Sequence, residues 1–309
     1  MFDMMNHARL EAGVQALATA TAAYTKSADY ARERLSGRAA DPAMRTNGRA
    51  DPIIVHPDVR RMLLKQASFL EGARAMALWV AVLLDTTHRA DDPAQAKQAG
   101  VLASLLTPVV KAFFTDRSFE SANLAVQIYG GHGYIRDNGV EQHVRDARIF
   151  QLYEGANGIQ ALDLVMRKLP ADGGSAFAML IERIETFLTE NGDVEAIAAQ
   201  ASALRSGIAA LKEAVAYLGE NAADANAAAS AAHDTLNIMG LVVIGYMWAW
   251  IGSVSAAKLA AGEGNPEFLQ RKLILGNFWA EREMPLTQSL LTSLRSGSST
   301  FMALPADAF

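Results

Sequence analysis

Apolar and small side chains recur every three or four positions along most of the chain, and runs that alternate with a period of two are scarce. The first spacing puts the apolar positions on one face of an α-helix, whereas a half-buried strand needs alternation. The pattern therefore predicts an all-α protein. The predicted helices cover residues 5–35, 58–88, 94–116, 117–129, three segments within 175–262, and 267–295.

Proline and glycine divide this pattern. Pro108 and Pro285 fall inside helical stretches, and we expect Pro108 to interrupt or kink its helix and Pro285 to kink the last one. The cluster Pro170–Gly174 combines proline with two glycines after a long helical region, and such clusters mark loops. We therefore predict two helical domains, which cover residues 1–170 and 175–309.

The composition is that of a globular protein, because 51% of the 309 residues are hydrophobic and 20% are charged. A net charge of −5 without a long basic run argues against nucleic acid as the main partner. There is no cysteine, which excludes disulfides and thiolate catalysis and is compatible with a reducing compartment, so we predict a cytoplasmic protein. The six histidines show no metal-type spacing, and we predict no metal site.

One apolar stretch calls for a membrane test. Residues 235–257 contain no Asp, Glu, Lys or Arg and are long enough to cross a bilayer. Asn237 and several glycine and serine residues dilute this stretch, and a fully buried central helix of a bundle has the same appearance. Because we find no second segment of this kind, we predict a buried helix and no membrane span.

The segment Gln151–Gln160 combines a carboxylate with glycines and the start of an apolar periodic run. Gly155 permits positive φ and the close approach of a ligand to the backbone. Asn157 stands where it could cap the helix that follows. Glu154, beside Tyr153, would be partly desolvated and is a candidate general base. A solvated loop acid without a chemical role is the alternative, and the local pattern alone favours it, because most loop carboxylates have no chemical role.

Further segments, in a fixed order along the chain, carry a family resemblance. They are Met4–Arg9, Tyr30–Arg38, Gln127–Tyr134, Arg145–Ile149 and the triplet Tyr153-Glu154-Gly155. Together they resemble the C-terminal catalytic region of flavin-dependent acyl-CoA dehydrogenases, and ordered matches are far more specific than the triplet alone. The resemblance implies a helical bundle of the type that forms the C-terminal domain of those enzymes.

The second part of the chain, residues 175–309, resembles the extra C-terminal helical domain of the larger acyl-CoA dehydrogenases, including the methylthiopropanoyl-CoA dehydrogenase group. That likeness rests on the layout of the helices and on the ending Phe301–Phe309. The helical domain and the β-domain with which relatives begin have no counterpart in this sequence. We therefore expect Met1 to correspond to an internal methionine of a longer protein.

The resemblance also implies an activity, the α,β-dehydrogenation of an acyl-CoA thioester with FAD as the cofactor. In the family a glutamate takes the α proton while the β hydrogen leaves as hydride to the flavin. By resemblance Glu154 is that base, its amide N–H is one donor to the thioester oxygen, and Gly155 lies where the substrate passes close to the backbone. Asn6 and Arg9 match a substrate-side segment in which the arginine lies near the base.

A set of FAD-binding residues follows from the same resemblance. It contains Arg34, His56, Gln127, Gly130, Gly131, Ala156, Asn157 and Gly158. Arg34, Gln127 and the first two glycines match positions that reach the cofactor of a neighbouring subunit. Ala156 departs from the family, in which threonine is usual. Ordinary structural interpretations also stay open, such as a helix-end charge for Arg34, a helix-to-helix turn for the glycines and a helix cap for Asn157.

The family implies electron-transferring flavoprotein as the electron acceptor and a homo-oligomer, dimer or tetramer, with cofactor sites shared between subunits. Two other interpretations stay open. One is a truncated, catalytically incompetent helical scaffold or oligomerisation fragment of such an enzyme, since much of the flavin and acyl pockets of relatives comes from the domains without a counterpart here. The other is a membrane-associated helical protein that uses residues 235–257.

Overall fold

Helices follow one another through the part of the chain that the computed structural model describes, residues 2–308. They are α1 (Phe2–Glu33), α2 (Pro57–Arg89), α3 (Pro93–Tyr129), α4 (Glu141–Ile149), α5 (Asn157–Asp163), α6 (Ser175–Asn191), α7 (Ala198–Glu220), α8 (Ala225–Ala260), α9 (Pro266–Phe278), α10 (Leu286–Leu294) and α11 (Ser299–Ala303). Within residues 2–308 no strand forms, and one β-bridge joins Leu35 to Pro52. The prediction of an all-α fold is confirmed. Met1 and Phe309, the outer ends of the two predicted domains, lie outside the described residues.

The first three helices form the core of the first half of the molecule, and α1 lies along α3 through small side chains. Ala12, Ala16 and Ala20 of α1 are all buried. A Cβ on Gly13 would come within 2.9 Å of Val110 Cγ1. This close approach sets the N-terminal turns of α1 beside the middle of α3, where the candidate site lies.

Helix α8 is the central element of the second half and also packs against the first half. The Trp248 indole N–H donates to Ser68 O of α2 (2.9 Å), and this indole is 1% exposed. A Cβ on Gly240 would come within 2.5 Å of the Phe113 ring on α3. One buried hydrophobic cluster therefore runs through both halves, with members from α1 to α10.

The expectation of a single long apolar segment is wrong. Three helices are long and apolar enough to cross a bilayer by length and composition, namely those that begin at Pro57, Pro93 and Ala225. In the folded chain 61%, 78% and 78% of the residues in their most apolar windows are buried. Buried bundle helices and membrane spans share this composition, so the absence of a membrane span stays a prediction.

The predicted break at Pro108 does not occur, because α3 continues through this position. Thr107, Pro108 and Val109 are all buried inside the bundle. The Thr107 hydroxyl donates to Ala103 O (2.7 Å), one turn earlier. Packing around this turn outweighs the backbone hydrogen bond that proline cannot donate.

Proline does interrupt the helix that was predicted over residues 267–295. Helix α9 passes into a π-helical turn, Trp279–Glu283, and α10 begins at Leu286, directly after Pro285. Proline removes an N–H and crowds the preceding turn, so the wider π-turn accommodates it. The sequence predicted a kink at Pro285, whereas the structure ends one helix before this residue and begins another after it.

The Pro170–Gly174 cluster forms the tight connection between the two halves. Asp172, Gly173 and Gly174 have φ values of 47°, 67° and 82°. Three successive residues in this region of backbone space reverse the chain direction at low steric cost only where glycine predominates. The division into domains 1–170 and 175–309 stays a prediction, because the hydrophobic core continues across this connection.

Candidate active site

Glu154 lies in the short segment between α4 and α5, and its backbone has an uncommon conformation. Its φ is +56°, and that of Gly155 is +84°. A residue with a Cβ rarely adopts positive φ, and such positions persist where their surroundings hold them. The Glu154 side chain is half-buried. The predicted base therefore stands on a backbone that its neighbours must keep in place.

Gln160 holds this backbone from the protein interior. It is fully buried, and its Nε2 donates to the carbonyl oxygens of Glu154 (3.0 Å) and Gly155 (3.4 Å). A Cβ at Gly155 would come within 2.6 Å of the same Nε2 atom. Position 155 thus requires glycine for two reasons, the positive φ and the space that the Gln160 amide occupies.

Lys111 of α3 is the residue of this site that sequence reasoning missed. Its side chain is fully buried, and Nζ donates to Gly155 O (2.8 Å) and to Asn157 Oδ1 (2.9 Å). The available signal was that Lys111 is the only charged residue between Gly100 and Thr115, within a long helical pattern. A lone charge in such a stretch is rarely buried without a specific polar partner.

The electrostatics of Lys111 reflect its burial first. Loss of hydration lowers the pKa of the Lys111 amine from its usual 10.5 to about 8. The negative charges of Asp116 and Glu154 oppose this change, and the positive charge of Arg9 adds to it. Glu154 and Arg9 are thus both close enough to act on the same buried amine.

Asn157 joins the segment to α3 and does not cap its own helix. It is the first residue of α5, the capping position belongs to Ala156, and no side chain accepts a hydrogen bond there. The Asn157 amide donates to Ala112 O (3.2 Å), Thr115 Oγ1 (2.9 Å) and Asp116 Oδ1 (2.7 Å). The predicted capping role is wrong, because Oδ1, the atom that would accept from the first turn of α5, accepts from Lys111 Nζ of α3 (2.9 Å).

Helix α1 closes the other side of the segment through Tyr153. The Tyr153 hydroxyl donates to Gln15 Oε1 (2.8 Å). Burial raises the pKa of Tyr153, and the charges of Glu154 and Glu11 raise it further. The phenol therefore stays protonated and keeps its hydrogen bond across the ordinary pH range.

Arg9, which was predicted to lie near the base, forms an ion pair with Asp163 of α5. The two atoms Nη1 and Oδ2 are 3.0 Å apart, and the side chains are 13% and 6% exposed. Asn6 lies one turn earlier on α1 and is half-buried. The structure brings Arg9 to the site but pairs its guanidinium with a protein carboxylate. The substrate roles of Asn6 and Arg9 stay predictions.

Five of the predicted FAD-binding residues lie elsewhere, around the ends of α1 and α3. They are Arg34, His56, Gln127, Gly130 and Gly131. From Thr115, which contacts Asn157, to Gln127 helix α3 rises about 18 Å. Within one chain this group is therefore separated from Glu154. The other three predicted residues, Ala156, Asn157 and Gly158, directly follow the base in the loop and in the first turn of α5.

The end of α1 lies directly against the glycine turn that follows α3. Tyr30 stacks on Tyr129 with ring centroids 4.0 Å apart, and its hydroxyl lies 3.0 Å from His132 Nδ1. Arg34 is one turn beyond Tyr30, and its side chain is exposed. The contact with Tyr30 therefore gives His132 a structural role, which joins the glycine turn to α1.

This surface is open where a phosphate group would need space. Gly130 has a φ of 59°, and a Cβ on Gly130 or on Gly131 would meet no atom within 4 Å. Gln127 and Arg34 are both exposed. Free backbone space, an exposed amide side chain and a guanidinium together fit the anionic pyrophosphate part of a dinucleotide cofactor.

His56 is tied to the chain that leaves α1. Its Nε2 lies 2.8 Å from Ser36 O, and a Cβ on Gly37 would come within 3.5 Å of the imidazole ring. A cofactor contact of His56 would have to use the rest of the ring. Among the described residues no group of three or more His, Asp or Glu side chains could hold a metal ion.

The fold and the site describe one class of protein, an all-helical bundle that presents a carboxylate on a glycine turn. Comparison with known proteins identifies its family. Residues 1–169 match the family described as "Acyl-CoA dehydrogenase, C-terminal domain". Residues 180–305 match the family described as "Acetyl-CoA dehydrogenase C-terminal like". Since the first match covers more than half of the chain, the chain belongs to the acyl-CoA dehydrogenase family.

Individual relatives agree with this assignment. The 3-methylmercaptopropionyl-CoA dehydrogenase of Ruegeria pomeroyi is 39% identical over 287 residues, which cover 91% of this chain and 47% of that protein. The broad-specificity linear acyl-CoA dehydrogenase FadE5 of Mycobacterium tuberculosis is 31% identical over 327 residues, which cover 100% of this chain and 52% of that protein. The chain spans about half the length of the curated relatives that it matches.

A solved structure supports the fold. The acyl-CoA dehydrogenase of Bacillus anthracis, complexed with FAD, superimposes with a TM-score of 0.67 at 17% sequence identity. The superposition covers 96% of this chain and 52% of that one. At this level of identity the likeness concerns the helical architecture, which is confirmed as that of acyl-CoA dehydrogenases.

Proposed function

We propose that this chain carries the catalytic base of an FAD-dependent acyl-CoA dehydrogenase and that Glu154 removes the α proton of the acyl-CoA thioester. The observation that carries the proposal is the strained backbone of Glu154, held beside Gly155, at the position that by resemblance matches the family's catalytic glutamate. Strain of this kind concentrates at functional sites, where it fixes the direction of a reacting group.

The local chemistry follows from the groups around the carboxylate. Removal of the α proton places negative charge on the thioester oxygen, which requires hydrogen-bond donors. The amide N–H of Glu154 would be one such donor. The buried ammonium of Lys111 lies behind the segment and favours the charge that develops as the proton leaves. Gly155, which carries no side chain and is exposed, lets the thioester approach the backbone.

Two exposed apolar side chains close to Glu154 in the sequence would exclude water from the bound substrate. Leu152 and Ile159 are 50% and 56% exposed, one before and one after Glu154 along the chain. An acyl chain lying against them would bury this surface and dehydrate the reacting carbon. Bound FAD would supply the acceptor for the β hydride.

The FAD-binding residues would act in two groups. Ala156, Asn157 and Gly158 would lie near the cofactor of their own site, although the threonine hydroxyl usual at position 156 is absent. Arg34, Gln127, Gly130 and Gly131, with His56, would hold the anionic half of a cofactor bound mainly by a neighbouring subunit. The separation of the two groups along α3 is what a site shared between subunits requires.

The remaining roles follow from the same proposal. The substrate would be an acyl-CoA, with Asn6 and Arg9 on its side of the base. Electron-transferring flavoprotein would be the acceptor, the assembly would be a homodimer or homotetramer, and the compartment would be the cytoplasm. Residues 1–170 would carry the catalytic part, and residues 175–309 would form an additional helical domain.

A steady-state assay with product detection tests the role of Glu154. The full chain with added FAD and an artificial electron acceptor is incubated with a panel of linear and thioether acyl-CoA thioesters, and enoyl-CoA is measured by mass spectrometry. Glu154→Gln should lower kcat by about 10²- to 10⁴-fold, as expected for loss of a general base. Glu11→Gln, which alters an exposed acid close to Tyr153, should leave kcat unchanged. Equal kcat values for Glu154→Gln and the wild type would contradict the proposal.

A further inference from the structure

We propose that Lys111 is a positioning residue, which fixes the Glu154-bearing backbone through its bond to the Gly155 carbonyl and its bond to Asn157. This inference rests on the proposed function of Glu154. It assigns to a buried residue of α3 a role that no motif in the sequence marks.

The first support is the geometry of the amine. Lys111 is fully buried, and its Nζ reaches two acceptors, Gly155 O at 2.8 Å and Asn157 Oδ1 at 2.9 Å. Both belong to the segment that begins α5, 44 and 46 residues away in the sequence. Both described bonds of this amine therefore serve the loop.

A second support is the lack of a salt bridge. Within residues 2–308 no carboxylate oxygen lies within 4.0 Å of Lys111 Nζ. Burial of an ammonium without an ion-pair partner is costly, and an apolar side chain of the same length would fill the space at lower cost. Stability alone therefore does not account for lysine at this position, whereas the two bonds to the loop do.

A third support is the way the bonds act on the backbone. In a trans peptide the C=O and N–H point in opposite directions. Gln160 turns the Glu154 carbonyl inward, and Lys111 does the same to the Gly155 carbonyl. These two peptide planes flank Gly155 and set its φ and ψ. Together they therefore hold the turn with positive φ and, with it, the direction of the Glu154 side chain. The Gly155 and Ala156 amides then point outward.

Asn157 extends this support into α3. Its Oδ1 accepts from Lys111, while its amide donates to Thr115 Oγ1 and Asp116 Oδ1. Asp116 also accepts from Gln151 Nε2 (2.7 Å), at the start of the segment. The segment is thus fixed on one turn of α3 at Gln151 and at Asn157, and the Gly155 carbonyl that Lys111 binds lies between these two residues.

Hydrogen exchange of the full chain tests the positioning role without reference to activity. Lys111→Met keeps the length of the side chain and removes the amine. We expect the hydrogen-bonded peptide amides of Tyr153 and Asn157 to exchange at least about ten times faster in Lys111→Met, with unchanged exchange in α8. Lys168→Met is the matched control, because that half-buried amine bonds to Ser104 Oγ outside the segment. It should leave the segment as slow as in the wild type.

Chemical rescue separates the amine from general packing. The chain has no cysteine, so Lys111→Cys introduces a single thiol, which 2-bromoethylamine converts in the unfolded chain to an isostere of lysine. The refolded product should recover slow exchange at the Tyr153 and Asn157 amides. If Lys111→Met does not fold, Lys111→Gln replaces it with the same expectation. In the turnover assay Lys111→Met should lower kcat by about 10²-fold with little change in KM, since a small misplacement of a catalytic group has this effect.

The outcomes divide clearly. Three results would each overturn the positioning role. They are amide exchange in Lys111→Met as slow as in the wild type, equally accelerated exchange in Lys168→Met, and exchange in the aminoethylated chain that stays fast. A chain that shows no turnover with any acyl-CoA would contradict the proposed function, and the exchange and rescue results would still decide the role of Lys111. Faster amide exchange in Lys111→Met together with an unchanged kcat would also overturn the proposal.

Discussion

At the residue scale, the buried amine of Lys111 helps to hold the strained backbone that carries Glu154. Glu154 has positive φ, and the bonds from Lys111 and Gln160 hold the two peptide planes that follow it. Each bond contributes modestly to folding. Loss of Lys111 leaves the Gly155 carbonyl with only the longer bond from Gln160, and loss of Gln160 removes the bond to the Glu154 carbonyl. The cost of the strain at Glu154 is therefore offset by groups that do not touch the substrate.

The pH dependence of stability should reveal the buried amine. The pKa of Lys111 is about 8 in the folded chain and 10.5 when unfolded, so between these values the unfolded state binds more protons and stability rises with pH. The groups that act on the amine are Asp116, Arg9 and Glu154. Between pH 7.5 and pH 10.5 the free energy of unfolding of the wild type should rise by about 3 kcal/mol relative to Lys111→Met. Urea unfolding at both pH values measures this, and parallel pH profiles would contradict it.

Sequence alone could identify Glu154 and Gly155, because the motif and the glycine are local signals. It could not identify Lys111, whose partners lie 44 and 46 residues further along the chain. Nor could it tell that Asn157 turns toward α3, since an asparagine before a helix is equally suited to a cap. The decisive contacts join two elements, and their geometry depends on how α3 and α5 pack.

Close approach between helices is the main feature at the scale of the element. A Cβ on Gly72 of α2 would come within 2.6 Å of Ile244 Cγ2 and of Trp248 Nε1 on α8. The Trp248 N–H is already bound to Ser68 O, so the indole cannot turn away freely. Glycine at position 72 therefore sets the distance between the two halves.

Gly72→Ala should destabilise the chain by about 1–3 kcal/mol, because the added methyl group overpacks a fixed indole. Gly219→Ala is the matched control, since a Cβ at that helical position meets no atom within 4 Å. That variant should be neutral or more stable by up to about 1 kcal/mol, as alanine favours helix over glycine. Denaturant unfolding gives both values. Equal effects of the two substitutions would show that the α2–α8 distance does not depend on Gly72.

Helix positions were largely predictable, because apolar periodicity and glycine or proline clusters are read locally. The three helices within residues 175–262 and the interruption at Pro285 follow such signals. The continuity of α3 through Pro108 does not follow from local signals. Pro108 is buried, and its packing overrides the local tendency of proline to break a helix. The number of long apolar helices was also misjudged, since a charge such as Lys111 masks how apolar α3 is.

At the scale of the whole molecule, we expect the two halves to unfold as one cooperative unit. They share one hydrophobic cluster and a group of charges around the buried Glu283. Glu283, in the π-turn before α10, lies 3.9 Å from Lys65 and 3.4 Å from Arg117, and Lys65 and Arg117 both pair with Glu120. Burial raises the pKa of Glu283, while the two cations lower it. These contacts join the end of the second half to α2 and α3 of the first.

Calorimetry should show one unfolding transition for the full chain. Arg117→Met removes a 16% exposed cation and leaves the buried Glu283 with Lys65 alone, so we expect a loss of about 3 kcal/mol and a single transition at lower temperature. Arg295→Met, which breaks an exposed pair with Glu213, should cost less than about 1 kcal/mol. Two separated transitions in the wild type, or equal losses in the two variants, would contradict cooperative joining of the halves.

The most direct test of the central claim is the visible absorbance of flavin on the purified full chain. The chain is incubated with FAD, freed of unbound cofactor and mixed without oxygen with acyl-CoA thioesters. If Glu154 is the base, the wild type should retain flavin and lose its long-wavelength absorbance on mixing, while Glu154→Gln should retain flavin that does not bleach. Retained flavin that bleaches equally in both proteins would contradict the role of Glu154. A chain that retains no flavin, or retains flavin that never bleaches, would contradict its activity and favour a helical scaffold.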